Sequence, residues 1–314
     1  MGFFLKHNNR KLKMNTKRLS VLTLAVLGAL AGPTQTWAAS LLGTADAFAV
    51  LGGSMVSNVP TSTISGSVGV WSSGGANAIT GFNSSPGVAV SDPQITNGMA
   101  HAGTTEAASA QLDLTYALTS LGLMGTGTLL SADLSGLTLA PGVYTVPAGV
   151  SNLTGSLTLD GAGNANAGWV FLMESSLITS PGSAVNVINT GSGAGIFWNV
   201  RSSATLDTTT SFQGNILAST SITLNTGASI GCGRALASTG AVTLDGNTIA
   251  TGCDLSTGGM GSNGFSGGLS VSESGGVATF LPPTSVVPLP AALPLLGVGL
   301  LGLVAVGRRR INSV

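Results

Sequence analysis

The sequence predicts a mainly β chain wound as a solenoid and carrying one long helix, on three observations. First, the segments ATLDTTTSFQGNILAS, ITLNTGASIGCGRALAS and VTLDGNTIATGC repeat a Thr-Leu-Asp/Asn step, a turn, an apolar residue and a glycine or short strand. Thr205, Thr223 and Thr243 fall 18 and 20 residues apart, and the steps 215–218 and 234–237 fall 19 apart. A period near that length, made of short strands and glycine turns, is that of a β-solenoid coil. Second, the 47 glycines are about double the usual share. Third, a single Ala-rich stretch breaks the strand texture with a helical period. An antiparallel sandwich explains the alternation along the strands but leaves the near-constant period without a cause.

In chain order, a basic stretch to Arg18, an apolar core over 19–31, a breaker at Gly32-Pro33 and small residues at Ala38-Ala39 read as a secretory signal over 1–39. The apolar run is shorter than the ~20 residues a membrane span needs. The body then opens with short strands, FAVLGGSMVSNV, TSTISGSVGV and NAITGF. From about 95 to 121 a helix is expected, because Ala107, Ala110, Leu114, Leu118 and Leu121 recur at steps of three and four. His101 falls within that stretch and reads as a surface residue of the helix. The repeats follow, with SLTLDGAG supplying Thr158-Leu159-Asp160 in the same style. Alternation along each strand turns Leu206, Leu224 and Leu244 inward and Thr205, Thr223 and Thr243 outward, with equivalent residues about 4.8 Å apart on successive coils.

Cys232 and Cys253 sit about one coil apart near one corner of an exported domain, which favours a disulfide that would pin the last coil. Residues 256–286 are rich in Gly and Ser and end in prolines, as a flexible linker does. The folded domain is therefore expected over 40–255. Residues 287–314 hold VPLPAALPLLGVGLLGLVAVGRRR, a Pro-bracketed entry before an apolar run of about eighteen residues, long enough to cross a bilayer and closed by three arginines. That layout resembles the PEP-CTERM sorting tail, with Leu289 where the usual motif has Glu. The resemblance implies export to the surface of a Gram-negative cell, an exosortase-type enzyme as processing partner, and extracellular polysaccharide as a further partner. A plain C-terminal anchor is the other reading of the same run.

Charge narrows the function. Only 7% of residues are charged, and between the basic ends two arginines face eleven acids, a net of −9 that excludes a nucleic-acid partner. His7 lies in the leader and His101 is alone, so neither a zinc site nor a Ser/His/Asp triad can be assembled, and no cofactor or metal is implied. Asp160, Asp207 and Asp245 could form a column with Asn225. They read as turn formers rather than as the acid and base of a glycoside-cleaving enzyme.

What remains is a plane of uncharged hydroxyls. Threonine is stiff at χ1, so a stacked column fixes hydroxyl and methyl groups at a repeating spacing with little loss of side-chain entropy. Such a surface can hold water in an ordered layer. The simpler reading of these threonines is that β-branched polar residues suit any solvated strand, and the column of Thr158, Thr205, Thr223 and Thr243, with Asp and Asn beside it, reads as such a face.

LGTADAFAVLGGSMVSN at 42–58, ISGSVGV, ITGF, the Ala-rich helix, LAPGVYTVPAG, GWVFLMESSL, IFWNVRSSATL, QGNILASTSITLNTGASI and GRALASTGAVTLDGNTI together resemble, in order and across 41–253, the bacterial and fungal ice-binding protein domain. The resemblance implies an irregular right-handed β-helix of triangular section, with the long helix packed along its side. It implies an ice crystal surface as partner, bound through one flat face where several members carry a Thr-Ala/Gly-x-Thr/Asn step. Here Thr226-Gly227-Ala228-Ser229 matches at its first two positions and has Ser at the last. Thr208-Thr209-Thr210-Ser211 and Gly246-Asn247-Thr248 occupy the same register on neighbouring coils. The ice-contacting residues implied are Thr208, Thr210, Ser211, Thr226, Ser229 and Thr248. A structural or adhesive matrix protein of the same fold, without ice affinity, is the other function the sequence allows.

Overall fold

The computed structural model describes residues 40–72, 78–253, 262–271 and 276–284. The signal reading over 1–39 and the sorting-tail reading over 287–314 lie outside the described residues.

The coil 204–221 shows how the chain winds. Ala204–Leu206 lies in a six-stranded sheet. After a turn, Ser211–Ala218 begins beside Ala184, shifts register after Phe212, and continues with Asn215–Ala218 paired to Phe197–Val200. Each such coil therefore contributes to three faces, called here the threonine face, the third face and the helical face. At the bend between the last two, successive backbones touch. A Cβ on Gly233 (φ +148°) would lie 2.0 Å from the Gly214 carbonyl oxygen, so only glycine fits there.

Inward residues from the three faces fill the core. Leu206, Leu224 and Leu244 point in from the threonine face, Phe212, Ile230 and Ile249 from the third, and Trp198, Ile216 and Ala235 from the helical face, all of them buried. Tyr144, Phe171, Trp198 and Phe212 form a ring column with centroids 5.7, 3.9 and 4.9 Å apart, and the Trp198 indole N–H donates to the Gln213 carbonyl at 3.1 Å.

Sequence order and stacking order differ. The coil ending near Cys253 is the last of the repeats in sequence, yet Val50-Leu51 pairs with Ala235-Leu236, and Thr63–Ser65 pairs with Thr248–Ala250. The N-terminal coils therefore stack on the far side of the C-terminal repeats. The Cys232–Cys253 disulfide, which is present, ties a coil in the middle of the stack rather than its end. Repeat spacing alone does not show which neighbour a coil takes, because both of its edges offer the same parallel backbone pattern.

The helix, α1, spans Thr105–Gly122, ten residues later at its start than the expected 95. Thr104 is its N-cap, accepting from the Ala107 N–H at 3.3 Å. The missing turns are two short strands, Ile95–Thr96 and Ala100–Ala102, which extend the third and helical faces. His101 is consequently a strand residue and not a helix-surface one. Its side chain is 12% exposed, stands 5.3 Å edge-on from Phe48, and lies 3.2 Å from the Thr104 hydroxyl. Ala107, Ala110, Leu114, Ala117 and Leu121 pack onto Leu51, Val170, Phe197, Leu217 and Leu236, the outward residues of the helical face. Two amides fasten α1 further, Gln111 donating to the Ala237 carbonyl (3.0 Å) and Asn199 to the Leu118 carbonyl (3.1 Å).

The linker expectation fails over 262–271 and 276–284. These residues form a strap against the solenoid, with Phe265, Leu269 and Ala278 buried and Leu269-Ser270 paired antiparallel with Thr279-Phe280. Arg234, fully buried, fastens the strap and the N-terminal segment to one coil. It pairs with the Asp46 carboxylate at 2.8 Å and donates to the carbonyls of Asp46 and Gly264 and to the Asn215 amide oxygen. Burial draws its guanidinium down to about 10 while Asp46 pushes it back up, so it stays charged at neutral pH. A few apolar residues in a Gly/Ser background are enough to dock the segment because the glycines allow close backbone approach.

Candidate functional site

The threonine face is the most regular surface of the solenoid. Its six strands run Leu177-Ile178, Ala204–Leu206, Ile222–Leu224, Val242–Asp245, Met55–Val59 and Ala78–Thr80, all parallel. Cα pairing carries one outward row across all six coils: Ile178, Thr205, Thr223, Thr243, Ser57 and Thr80. No register shift interrupts these pairs. Thr205, Thr223 and Thr243 are only half-buried, each flanked by a like neighbour about 4.8 Å away, so their methyl and hydroxyl groups are held in a lattice-like column. Ser57 and Thr80 were not singled out in the sequence. They join because the N-terminal coils stack on the last repeat, a pairing invisible to repeat spacing.

The third face is less even. Its outward row, Ser156, Ala184, Ser211, Ser229, Thr248 and Thr63, also crosses six coils. Register shifts break its strands between Asp160 and Asn164 and between Phe212 and Gln213. Thr158 belongs here, paired with Thr138 and Asn186, so it does not continue the column of Thr205, Thr223 and Thr243 as expected. Asp160 follows it, leaving Asp207, Asn225 and Asp245 as the polar column on the threonine face.

The six residues implied for ice contact meet at the corner between these two faces. The 208–211, 226–229 and 246–248 segments stack on three successive coils, in register through Ser211, Ser229 and Thr248. Thr208 is half-buried and Thr226 and Thr248 are exposed at the corner. Ser211 is exposed, and Ser229 is half-buried with its hydroxyl 3.4 Å from the Thr210 carbonyl. Thr210 is the exception. It is fully buried, its hydroxyl 2.9 Å from that of Thr179 and 3.3 Å from that of Ser183, so it is removed from the contact set. The step is inward because Thr209 (φ +55°), Gly227 (φ +71°) and Gly246 (φ +60°) form stacked left-handed turns, which carry the following residue under the corner.

A buried side chain organises that corner. Asn247, 1% exposed, donates to the carbonyls of Asn225 and Ala228, both at 2.9 Å, and accepts from the Asp245 N–H at 2.6 Å. Its own N–H reaches the Ser62 hydroxyl at 3.0 Å. At the edge of the face, the Asn225 amide donates to Asp207 at 2.9 Å, which with the Thr208 N–H holds that carboxyl below its ordinary value. Thr226 donates its hydroxyl to Asp245. Outside this edge the row residues carry no charge.

Comparison with known proteins adds the deciding observation. A family model described as Ice-binding-like matches residues 50–250. The chain belongs to the ice-binding-like family. It is 44% identical over 243 residues to the ice-binding protein of Nostoc sp. (strain HG1), covering 77% of this chain and 85% of that one. Among solved structures, an ice-binding protein from an Antarctic biological consortium superposes with a TM-score of 0.57 at 37% identity, over 70% of this chain and 93% of the other. One from an Arctic yeast, whose structure is described as a basis for antifreeze activity, superposes at 0.59 with 27% identity, over 80% and 98%. The solenoid with one helix is thus the architecture this chain shares with ice-binding proteins of solved structure.

Proposed function

We propose that this protein binds ice, adsorbing through the threonine face and its corner with the third face. Thr205, Thr223, Thr243, Ser57 and Thr80, edged by Thr208, Thr226, Ser211, Ser229 and Thr248, form the contact. The observation that carries this reading is the unbroken register of one hydroxyl row across five of the six coils. Ice is a flat lattice of water, so it rewards a surface whose hydroxyls already stand at a fixed repeat and whose methyl groups leave that water few competing partners. The reading is of a non-enzymatic protein. Its leader, 1–39, and its tail, 287–314, support export and attachment at the surface of a Gram-negative cell through an exosortase-type enzyme, within reach of extracellular polysaccharide.

A structural or adhesive matrix role is the second reading, and Asp207 and Asp245 at the edge of the face favour it, since carboxylates orient water around themselves. Partitioning separates the two. Residues 40–284, frozen slowly into an ice hemisphere, should enter the ice and produce thermal hysteresis. Exclusion from the ice with the fold intact would leave the matrix role.

A further inference from the structure

A groove runs beside α1, clear of the ice-contact residues. Its floor is the corner where the helical face turns into the threonine face, and the turns after Gly52 and Ala237 stack there. The N–H groups of Gly53 and Ser54 both donate to the Gly240 carbonyl, at 2.8 and 3.1 Å, and the Trp71 N–H donates to the Gly52 carbonyl at 3.1 Å. A Cβ on Gly53 would lie 2.2 Å from the Ser238 carbonyl oxygen, so only glycine lets the two turns close up. The helix supplies the other wall through Gln111, Leu112 and Thr115. The groove holds about 410 Å³, within the roughly 300–1,000 Å³ that small-molecule sites occupy.

Among the described residues nothing charged lines it. Trp71, half-buried against the cluster beneath α1, gives it an aromatic wall, and Leu112, 62% exposed, gives it an apolar edge on the helix side. The polar groups have already committed their donors to the protein. Thr115 donates its hydroxyl to the Gln111 carbonyl (2.9 Å), Thr239 to the Ser219 carbonyl (2.7 Å), and the Gln111 amide donates to the Ala237 carbonyl (3.0 Å). What they keep for a ligand is acceptor capacity, on the two hydroxyl oxygens and on the Gln111 Oε1. A carboxylate or phosphate is itself an acceptor and meets no cation here, and an ammonium group meets no carboxylate. A polyol brings O–H donors to those acceptors, and the C–H face of a pyranose ring suits an indole, whose π face is negative and whose body is apolar.

We propose that this groove binds a neutral saccharide, a pyranose ring lying on Trp71 while its hydroxyls donate to Gln111, Thr115 and Thr239. The stacked turns and the helix hold these groups in place before any ligand arrives, so binding orders little of the protein. The groove gives a site to the extracellular polysaccharide of the reading above, and rests on that reading only for where the polymer comes from. It shares no residue with the ice-contact set.

Retention of the full chain on immobilised dextran, laminarin and galactomannan tests this, in micelles of a phosphocholine detergent that carries no sugar, with alginate and chitosan as charged controls. Trp169 and Trp198 are 0% and 1% exposed, so with Trp37→Phe in the leader a change in indole emission on adding a matching oligosaccharide reports Trp71. Retention by at least one neutral polymer, with that emission change, is expected. Trp71→Ala should weaken retention about ten-fold or more, Trp71→Phe should restore it to within a few-fold, and Thr223→Tyr should leave it unaltered. Should Trp71→Ala fail to fold, Thr115→Arg fills the groove from the exposed helix side and must abolish retention in its place. Retention by no neutral polymer, retention by alginate or chitosan alone, full retention in a folded Trp71→Ala or in Thr115→Arg, or loss in Thr223→Tyr overturns the assignment. No arm reads ice, so ice affinity stands or falls separately.

Discussion

The threonine face and the helical face are built by the same coils with the same in-and-out alternation, yet one is left open and the other is covered. On the helical face the outward positions are Leu51, Val170, Phe197, Leu217 and Leu236, and α1 lies over them. On the threonine face the outward row holds Thr205, Thr223, Thr243, Ser57 and Thr80, and nothing packs on it among the described residues. Burial of an apolar row stabilises by roughly 25 cal/mol per Å², enough to dock a helix, whereas a hydroxyl row gains little by leaving water. The chemistry of alternate residues in the same backbone thus decides which face becomes core and which becomes a platform.

The largest expected effect comes from breaking the covered face. Phe197→Ala should cost about 3–5 kcal/mol and loosen α1, read by denaturant unfolding and by faster hydrogen exchange in 105–122. Next is the disulfide. Replacing Cys232 and Cys253 by serine opens a link 21 residues long and should lower stability by about 3 kcal/mol, seen as a lower Tm, without changing which face is exposed. Asn247→Ala leaves the Asn225 and Ala228 carbonyls without their buried donor and should cost about 1–3 kcal/mol. Because it sits beneath the corner, its thermal hysteresis should fall even at temperatures where the variant remains folded.

The comparison also shows what could be read before folding. Inward Leu206, Leu224 and Leu244 and outward Thr205, Thr223 and Thr243 were legible because both are local consequences of strand alternation at a fixed period. The neighbours of the last coil were not, since parallel pairing between 48–65 and 229–250 depends on topology and leaves no local mark. Thr158 looked like its namesakes because the Thr-Leu-Asp step also suits the third face. Thr210 looked exposed until the left-handed turn at Thr209 carried it inward. The strap was hidden in a composition that usually means a linker, its apolar residues Phe265, Leu269 and Ala278 too sparse to show a period.

Two smaller effects sharpen the open face. Asp245→Asn keeps an acceptor for the Thr226 hydroxyl while removing a charge from the edge; stability should stay within about 0.5 kcal/mol and thermal hysteresis should rise. On the covered side, burial holds the His101 pKa below 6.5, with Glu106 opposing. A depressed histidine leaves the unfolded chain the better proton acceptor, so its contribution is fully present above 6.5 and is lost as pH falls through its folded value. Tm should decline across that window, and His101→Phe should flatten the decline.

Thermal hysteresis of Thr223→Tyr against Thr158→Tyr, at matched concentration and with both variants shown to be folded, tests the central claim most directly. A tyrosine at 223 stands in the middle of the six-coil row and should abolish most of the activity, while one at 158, on the interrupted third face, should leave it close to that of the unmodified protein. Full activity in Thr223→Tyr, or equal loss in both, would contradict the assignment of ice contact to the threonine face.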